Sequence, residues 1–163
     1  IRGGALLFAP EKIDPAFAAA AKDIGIDPKQ IKGIISGGKK KIKLMKGFTD
    51  KIEDAEIKTG IIKVSATAES IFQNFQKDPK DIKAARQFIT YYMDAVINVL
   101  QQYAAIPEGA AGRKDFRKKV IDLLTTANAS FEKQLARLYE DDYLNLASEM
   151  SVLEKTLKSE GMM

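Results

Sequence analysis

The sequence contains neither histidine nor cysteine among its 163 residues. A chain without these residues has no Ser-His-Asp triad, no thiolate nucleophile and no imidazole that exchanges protons near neutral pH. It also lacks the nitrogen and sulfur ligands that hold zinc and haem in most proteins. Histidine- and cysteine-based catalysis and metal binding are therefore excluded, and the lack of cysteine is typical of a reducing compartment.

Long hydrophobic runs are absent as well. The apolar stretch at residues 1–10 is far shorter than the roughly 20 residues that a membrane helix needs, so the sequence predicts no transmembrane span. Because the first residue is Ile1 rather than Met, we expect a natural N-terminal segment to precede it.

The residues that are present fit one globular domain. Hydrophobic residues make up 45% of the chain, which is enough for a core that needs no disulfide or metal. No stretch alternates apolar and polar residues for long enough to form a strand, whereas apolar spacings of three and four recur throughout. The pattern therefore predicts helices along almost the whole chain.

The dipeptide Asp-Pro marks three predicted helix starts, at Asp14-Pro15, Asp27-Pro28 and Asp78-Pro79. Aspartate accepts hydrogen bonds from the free N–H groups of a first helical turn, and proline is preorganised for the first helical position. We therefore expect each of these Asp residues to be the N-cap of a helix.

Six helices follow from these starts and from the apolar spacing. We interpret Glu140, Asp141 and Asp142 as the end of the fifth helix and the capping region of the sixth. The predicted bounds are 15–24, 28–52, 53–77, 79–105, 113–140 and 145–159. The predicted fold class is all-α, a bundle of about five to six long antiparallel amphipathic helices. We expect a Lys-rich helical region at residues 1–52 and a helical bundle at residues 53–163, joined as one continuous domain.

Positive charge is concentrated in one segment. Residues 28–52 contain eight Lys against the single acid Asp50, a net charge of +7, while the rest of the chain has a net charge of −3. On a helix, Lys39, Lys43 and Lys46 lie to one side of the apolar stripe and Lys41 lies to the other. The predicted anion-binding residues are Lys39, Lys40, Lys41, Lys43 and Lys46.

Three interpretations of these lysines are open. They form a solvated surface, they contact an anionic membrane or an acidic protein, or they contact nucleic acid phosphates. Nucleic acid ranks last, because the chain has only five Arg and no aromatic residues between the lysines. The outline G-x-x-x-x-G-K at residues 33–39 lacks both a preceding strand and a following Ser or Thr, so we interpret its glycines as sites of close helix packing or of a kink.

Residues 68–161 carry a family resemblance. It rests on Ala68-Glu69, Lys77-Asp78-Pro79, Ala85-Arg86, Tyr91-Tyr92, Gln134-Leu135, Asp141-Asp142, Glu149, Val152-Leu153-Glu154 and Leu157-Lys158. In order and spacing this stretch resembles the XpaC-type family, which is labelled for 5-bromo-4-chloroindolyl phosphate hydrolysis. The resemblance implies cleavage of an indolyl phosphate ester, with Asp141 and Asp142 as the catalytic candidates if the chain is a hydrolase.

The resemblance also implies a cellular setting. Family members commonly carry hydrophobic segments near the N-terminus, and their genes are found near those of TelA-type toxic-anion resistance proteins. Together with the lysines and the missing catalytic side chains, this favours a non-enzymatic, membrane-associated helical adaptor or scaffold in an envelope or toxic-anion stress response. We expect it in the cytoplasm at the inner face of the membrane, without cofactor or bound metal.

The expected partner is an anionic membrane surface or an acidic protein, with a TelA-type resistance protein as one candidate. The alternative function is a phosphoesterase that acts on indolyl phosphate-type esters. The oligomeric state stays open, because long helices bury their apolar faces within one chain or by pairing with a second copy.

Overall fold

A computed structural model describes residue 18 and residues 25–161 of the chain, and in this part it contains helices and no strand. The helices are α1 (Pro28–Gly47), α2 (Ala55–Lys77), α3 (Ile82–Ala105) and α4 (Arg113–Ser159). Two 3-10 turns, Phe48–Asp50 and Pro79–Asp81, lie before α2 and α3. The predicted all-α fold is confirmed. The helix predicted at residues 15–24 lies outside the described residues except for Ala18, which is helical.

Aspartate side chains cap the start of α1 and of the 3-10 turn that leads into α3, as two of the Asp-Pro pairs predicted. The carboxylate of Asp27 accepts from the backbone N–H of Lys29 at 2.9 Å, and that of Asp78 accepts from Lys80 at 3.2 Å. A third cap, Asp54, accepts from Glu56 and Ile57 at the start of α2 and was not predicted, because no proline follows it.

The predicted second helix is too long at its C-terminal end. Helix α1 ends at Gly47, and the 3-10 turn then redirects the chain so that Phe48 and Ile52 are both buried. Residues 28–52 keep apolar spacing to the end because the turn also buries its apolar side chains, so periodicity alone did not reveal the break.

The predicted break at residues 141–144 is wrong. Helix α4 runs through Glu140, Asp141 and Asp142 without interruption and has 47 residues, a length of about 70 Å at 1.5 Å per residue. Acidic residues in a helix interior cost only a few tenths of a kcal/mol, and no Gly or Pro stands between Arg113 and Ser159. The described part therefore contains four helices where the sequence predicted five beyond residue 25.

Helices α2, α3 and α4 form an up-down-up bundle. Aromatic contacts between Tyr103 and Phe116 and between Tyr92 and Phe131 place α3 antiparallel to α4. Helix α2 runs parallel to α4, so that Thr67 contacts Asn128 through a 3.0 Å hydrogen bond. Helix α1 packs on α2 and α3, and buried side chains of all four helices form one core.

Candidate functional site

The predicted lysines lie on two different sides of α1. Lys39, Lys40 and Lys43 are exposed, and Lys46 forms an ion pair with Glu69 of α2. We call these four residues the lysine face. Lys41 points the other way, where its Nζ lies 2.7 Å from a carboxylate oxygen of Asp94 on α3. The predicted separation of Lys41 from the other lysines is therefore confirmed.

The lysine face borders a groove of about 300 Å³ between α1 and α2. Its lysines are Lys39, Lys43 and Lys46, and the apolar side chains of Ile42 and Phe72 line it as well. Glu69 also lines the groove and pairs with Lys46, so an anion with an attached apolar group would be bound by Lys39 and Lys43 beside these apolar side chains.

A glycine of α1 lets this helix pack closely on α2 beside the groove. A Cβ atom on Gly38 would lie 2.3 Å from ring carbons of Phe72, so only glycine lets α1 pack this closely on α2. Gly33 and Gly37 have no such neighbour within 4 Å. The interpretation of the glycine motif as a site of close packing therefore applies to Gly38.

The second feature is a group of three carboxylates, Asp78, Asp81 and Asp142, which we call the carboxylate cluster. One oxygen from each lies within 4.8 Å of those of the other two. The cluster forms because α4 runs parallel to α2, which brings residue 142 level with the turn between α2 and α3. Asp142 is exposed, whereas Asp78 and Asp81 are half-buried.

The environment of Asp81 disfavours its charged form. Burial, and then repulsion from Asp78, Asp141 and Asp142, raises the pKa of Asp81 to about 6. A hydrogen bond from the buried amide of Asn74, at 3.1 Å, opposes this rise and fixes the orientation of the carboxylate. A divalent cation would relieve the same repulsion that raises this pKa.

Three carboxylates are enough to anchor a divalent cation but not to complete its coordination. Magnesium takes six oxygen ligands and calcium six to eight, so water or substrate oxygens would supply the remainder. Such a metal would act on a phosphate ester by polarising an oxygen or by activating a water molecule. The cluster therefore offers three candidate ligands for a divalent metal, without a histidine or an arginine among its residues.

The third feature is the distal part of α4, residues 139–159, which we call the projecting helix. Each residue from 139 to 156 is exposed, and the last buried residue of α4 is Leu138. Large apolar side chains are nonetheless frequent there, and Tyr143 is 70% exposed. Contiguous exposed apolar surface of this kind is typical of protein or membrane contact sites.

The structure brings together only part of the predicted site set. Asp142 joins a cluster, while Asp141 acts on it only through its charge. Sequence reasoning missed Asp78 and Asp81 as neighbours of Asp142 and treated Asp78 only as a helix cap. The family resemblance held a signal, because both Lys77-Asp78-Pro79 and Asp141-Asp142 are among its matching segments.

No helix in the described residues is both long enough and apolar enough to cross a bilayer. The fold and these surfaces define an all-α helical bundle with a lysine face, a carboxylate cluster and a projecting helix. A scan of protein families matches residues 1–153 to the family described as 5-bromo-4-chloroindolyl phosphate hydrolysis protein. The chain belongs to this family, and the match extends the resemblance to the N-terminal third. Searches of the curated proteins and of the solved structures found no match.

Proposed function

We propose that this protein is a non-enzymatic, membrane-associated helical adaptor that works in an envelope or toxic-anion stress response. Its lysine face contacts the anionic inner surface of the membrane from the cytoplasm. The projecting helix then extends about 30 Å from the bundle, at 1.5 Å per residue, and is free to contact a protein.

The exposed lysines of α1 carry this proposal. Lys39, Lys40 and Lys43 have no carboxylate within ion-pairing distance among residues 25–161. Each such Lys near an anionic lipid surface contributes on the order of 1 kcal/mol. Leu44, one turn after Lys40, is 48% exposed, so an apolar side chain borders the lysine face.

Charge reversal of the three unpaired lysines tests the proposal. Full-length wild type is expected to co-sediment with phosphatidylserine-containing vesicles and not with phosphatidylcholine vesicles. Lys39→Glu/Lys40→Glu/Lys43→Glu should weaken this binding at least roughly 100-fold, because attraction to the lipid headgroups becomes repulsion. Increasing salt should release the wild type for the same reason.

The chain offers a matched control at the start of α4. Lys114→Glu/Lys118→Glu/Lys119→Glu makes the same change in net charge at three lysines that are also exposed. It should retain most of the vesicle binding. Equal loss in both triple variants, or binding that ignores lipid charge, would show that the lysine face is not the contact surface.

A second candidate function comes from the carboxylate cluster together with the family description. In this alternative the protein is a phosphoesterase that acts on indolyl phosphate-type esters. Asp78, Asp81 and Asp142 hold a divalent metal, and Asp141 tunes the cluster through its charge. The alternative predicts metal-dependent turnover that is lost when Asp81 and Asp142 become Asn. The lack of a histidine, cysteine or arginine in the cluster makes it the weaker of the two proposals.

A further inference from the structure

The projecting helix carries one continuous apolar stripe, which we call the seam. Its members follow one another at intervals of four and three residues, the spacing of a coiled-coil interface. They are Tyr139, Tyr143, Leu146, Met150, Leu153 and Leu157. The first five are between 55% and 70% exposed, so nothing else in residues 25–161 covers the seam.

The bundle to which the helix belongs leaves the seam uncovered. At 100° per residue, the seam points roughly 80° away from the stripe of α4 that faces the core. That core-facing stripe includes Val120, Leu124, Ala127 and Phe131. If α2 and α3 extended further along α4, they would therefore cover a different side of it. The seam is suited to a partner that approaches from another direction.

We propose that the seam pairs with the seam of a second copy of this chain, to form an antiparallel two-helix coiled coil. This dimer would be the protein contact of the proposed adaptor, and in that role it rests on the proposed function. It does not require the membrane contact. The homodimer would carry two lysine faces, so each copy strengthens the attachment of the other to an anionic surface.

Apolar burial outweighs the charges at the edges of the seam. Four of the six residues that flank it are acidic: Glu140, Asp142, Glu149 and Glu154. A like-charge pair at such exposed positions weakens association by only about twofold, whereas burial of one Leu or Met side chain strengthens it by roughly 10- to 100-fold. Six seam positions therefore dominate over a few repulsive edge pairs.

Charge also selects the antiparallel orientation. A parallel pair would place the two acidic runs at residues 140–142 side by side, with both bundles at the same end. An antiparallel pair separates these runs by most of the helix length and places each run opposite the tip of the other copy, where Lys155 and Lys158 balance the charges of Glu154 and Glu160. Its layers pair Leu146 with Met150 and Tyr143 with Leu153 across the interface.

The length of the seam fits a stable dimer. The projecting helix is about 30 Å long and the diameter of a helix with side chains is about 10 Å. Burial of six seam side chains on each copy, at roughly 100 Å² of accessible surface per side chain, gives about 1,200 Å² in total, the size at which stable protein interfaces begin. A second copy therefore meets the requirement without any contact from the bundles.

Sedimentation velocity of the full chain without vesicles tests the pairing. Leu146→Gln/Leu153→Gln should raise the dissociation constant of the dimer at least roughly 100-fold. Leu144→Gln/Val152→Gln is the matched control, because both side chains are exposed but lie off the seam. Glutamine is a good helix former, so thermal unfolding of the bundle should be unchanged in both variants.

Higher salt should strengthen the dimer by screening its acidic edges, which is opposite to its effect on vesicle binding. A monomeric wild type at all concentrations, or a dimer that survives the seam variant, would overturn the pairing even if vesicle binding is intact. Vesicle binding that fails while the dimer persists would instead overturn the membrane proposal.

Cysteine crosslinking tests the orientation, and the natural chain has no cysteine to interfere. An antiparallel dimer should form a disulfide between Leu146→Cys and Met150→Cys chains when they are mixed, because only facing Cβ atoms reach disulfide distance. Preferential crosslinking of Leu146→Cys chains to one another would show a parallel dimer and overturn the antiparallel assignment.

Discussion

Replacement of Phe131 by Ala is expected to lower the free energy of unfolding by about 3–5 kcal/mol. Phe131 is fully buried on α4 and packs edge-to-face on Tyr92 of α3, with ring centroids 6.1 Å apart. Truncation therefore removes a large apolar surface and leaves a cavity where α3 and α4 meet. Urea unfolding followed by circular dichroism measures the loss.

A substitution further along α4 tests whether the packed part of this helix ends near Leu138. Val152 is 61% exposed on the projecting helix, away from the seam. Val152→Ala should change the free energy of unfolding by less than about 0.5 kcal/mol, because surface substitutions rarely do more. A loss at Val152 comparable with that at Phe131 would mean that the distal part of α4 is packed in the core.

The second large effect is expected at Asp54, the N-cap of α2. Its carboxylate accepts from the backbone N–H groups of Glu56 and Ile57 and also binds Arg117 of α4. Asp54→Ala removes both sets of interactions and should cost roughly 2 kcal/mol, most of it from the lost cap. The ion pair adds less, because the Arg117 side chain is 38% exposed and solvent screens it.

Two further measurements separate the cap from the ion pair. Asp54→Asn keeps the cap acceptor and removes the charge. Its free energy of unfolding should therefore fall by well under half of the decrease caused by Asp54→Ala. Bonding to Arg117 holds the pKa of Asp54 below its usual value. The stabilisation from this charge is therefore present at neutral pH and is lost as the pH falls below about 4, toward the lowered pKa. If the stability of Asp54→Asn falls with decreasing pH in the same way as that of the wild type, Asp54 does not titrate in this way.

Local sequence signals predicted the helix starts better than the helix ends. Asp27 and Asp78 cap as predicted, because the Asp-Pro signal depends on the first turn alone. The end of α1 was placed too late because Ile52 continues the apolar spacing through a 3-10 turn. Helix α4 was divided in two because acids and an Asn imitate a capping region, although nothing there interrupts the helix.

The carboxylate cluster was beyond local reasoning for a different reason. Asp78 and Asp142 meet only because α2 and α4 run parallel and in register, which depends on how three helices pack. The arrangement of the lysines was more accessible. A helical wheel separated Lys41 from Lys39 and Lys43. It could not show that Lys41 forms an ion pair with Asp94 or that Lys46 forms one with Glu69.

The family description and the site chemistry point in different directions. The description names hydrolysis of an indolyl phosphate, whereas phosphoryl-transfer sites ordinarily combine metal ions with cationic side chains that stabilise the charge. The carboxylate cluster supplies possible metal ligands, but the lysines of α1 lie on another surface. An adaptor that changes cellular phosphatase activity indirectly would reconcile the description with these residues.

The central proposal is that the protein acts as an adaptor rather than as a phosphoesterase. The most direct test is hydrolysis of 5-bromo-4-chloroindolyl phosphate by the purified full chain, with and without Mg²⁺ or Mn²⁺. Asp81→Asn/Asp142→Asn, which removes two carboxylates of the cluster, serves as the control. We expect no metal-dependent turnover above that of this variant. Turnover by the wild type that the variant lacks would contradict the adaptor account and establish the carboxylate cluster as an active site.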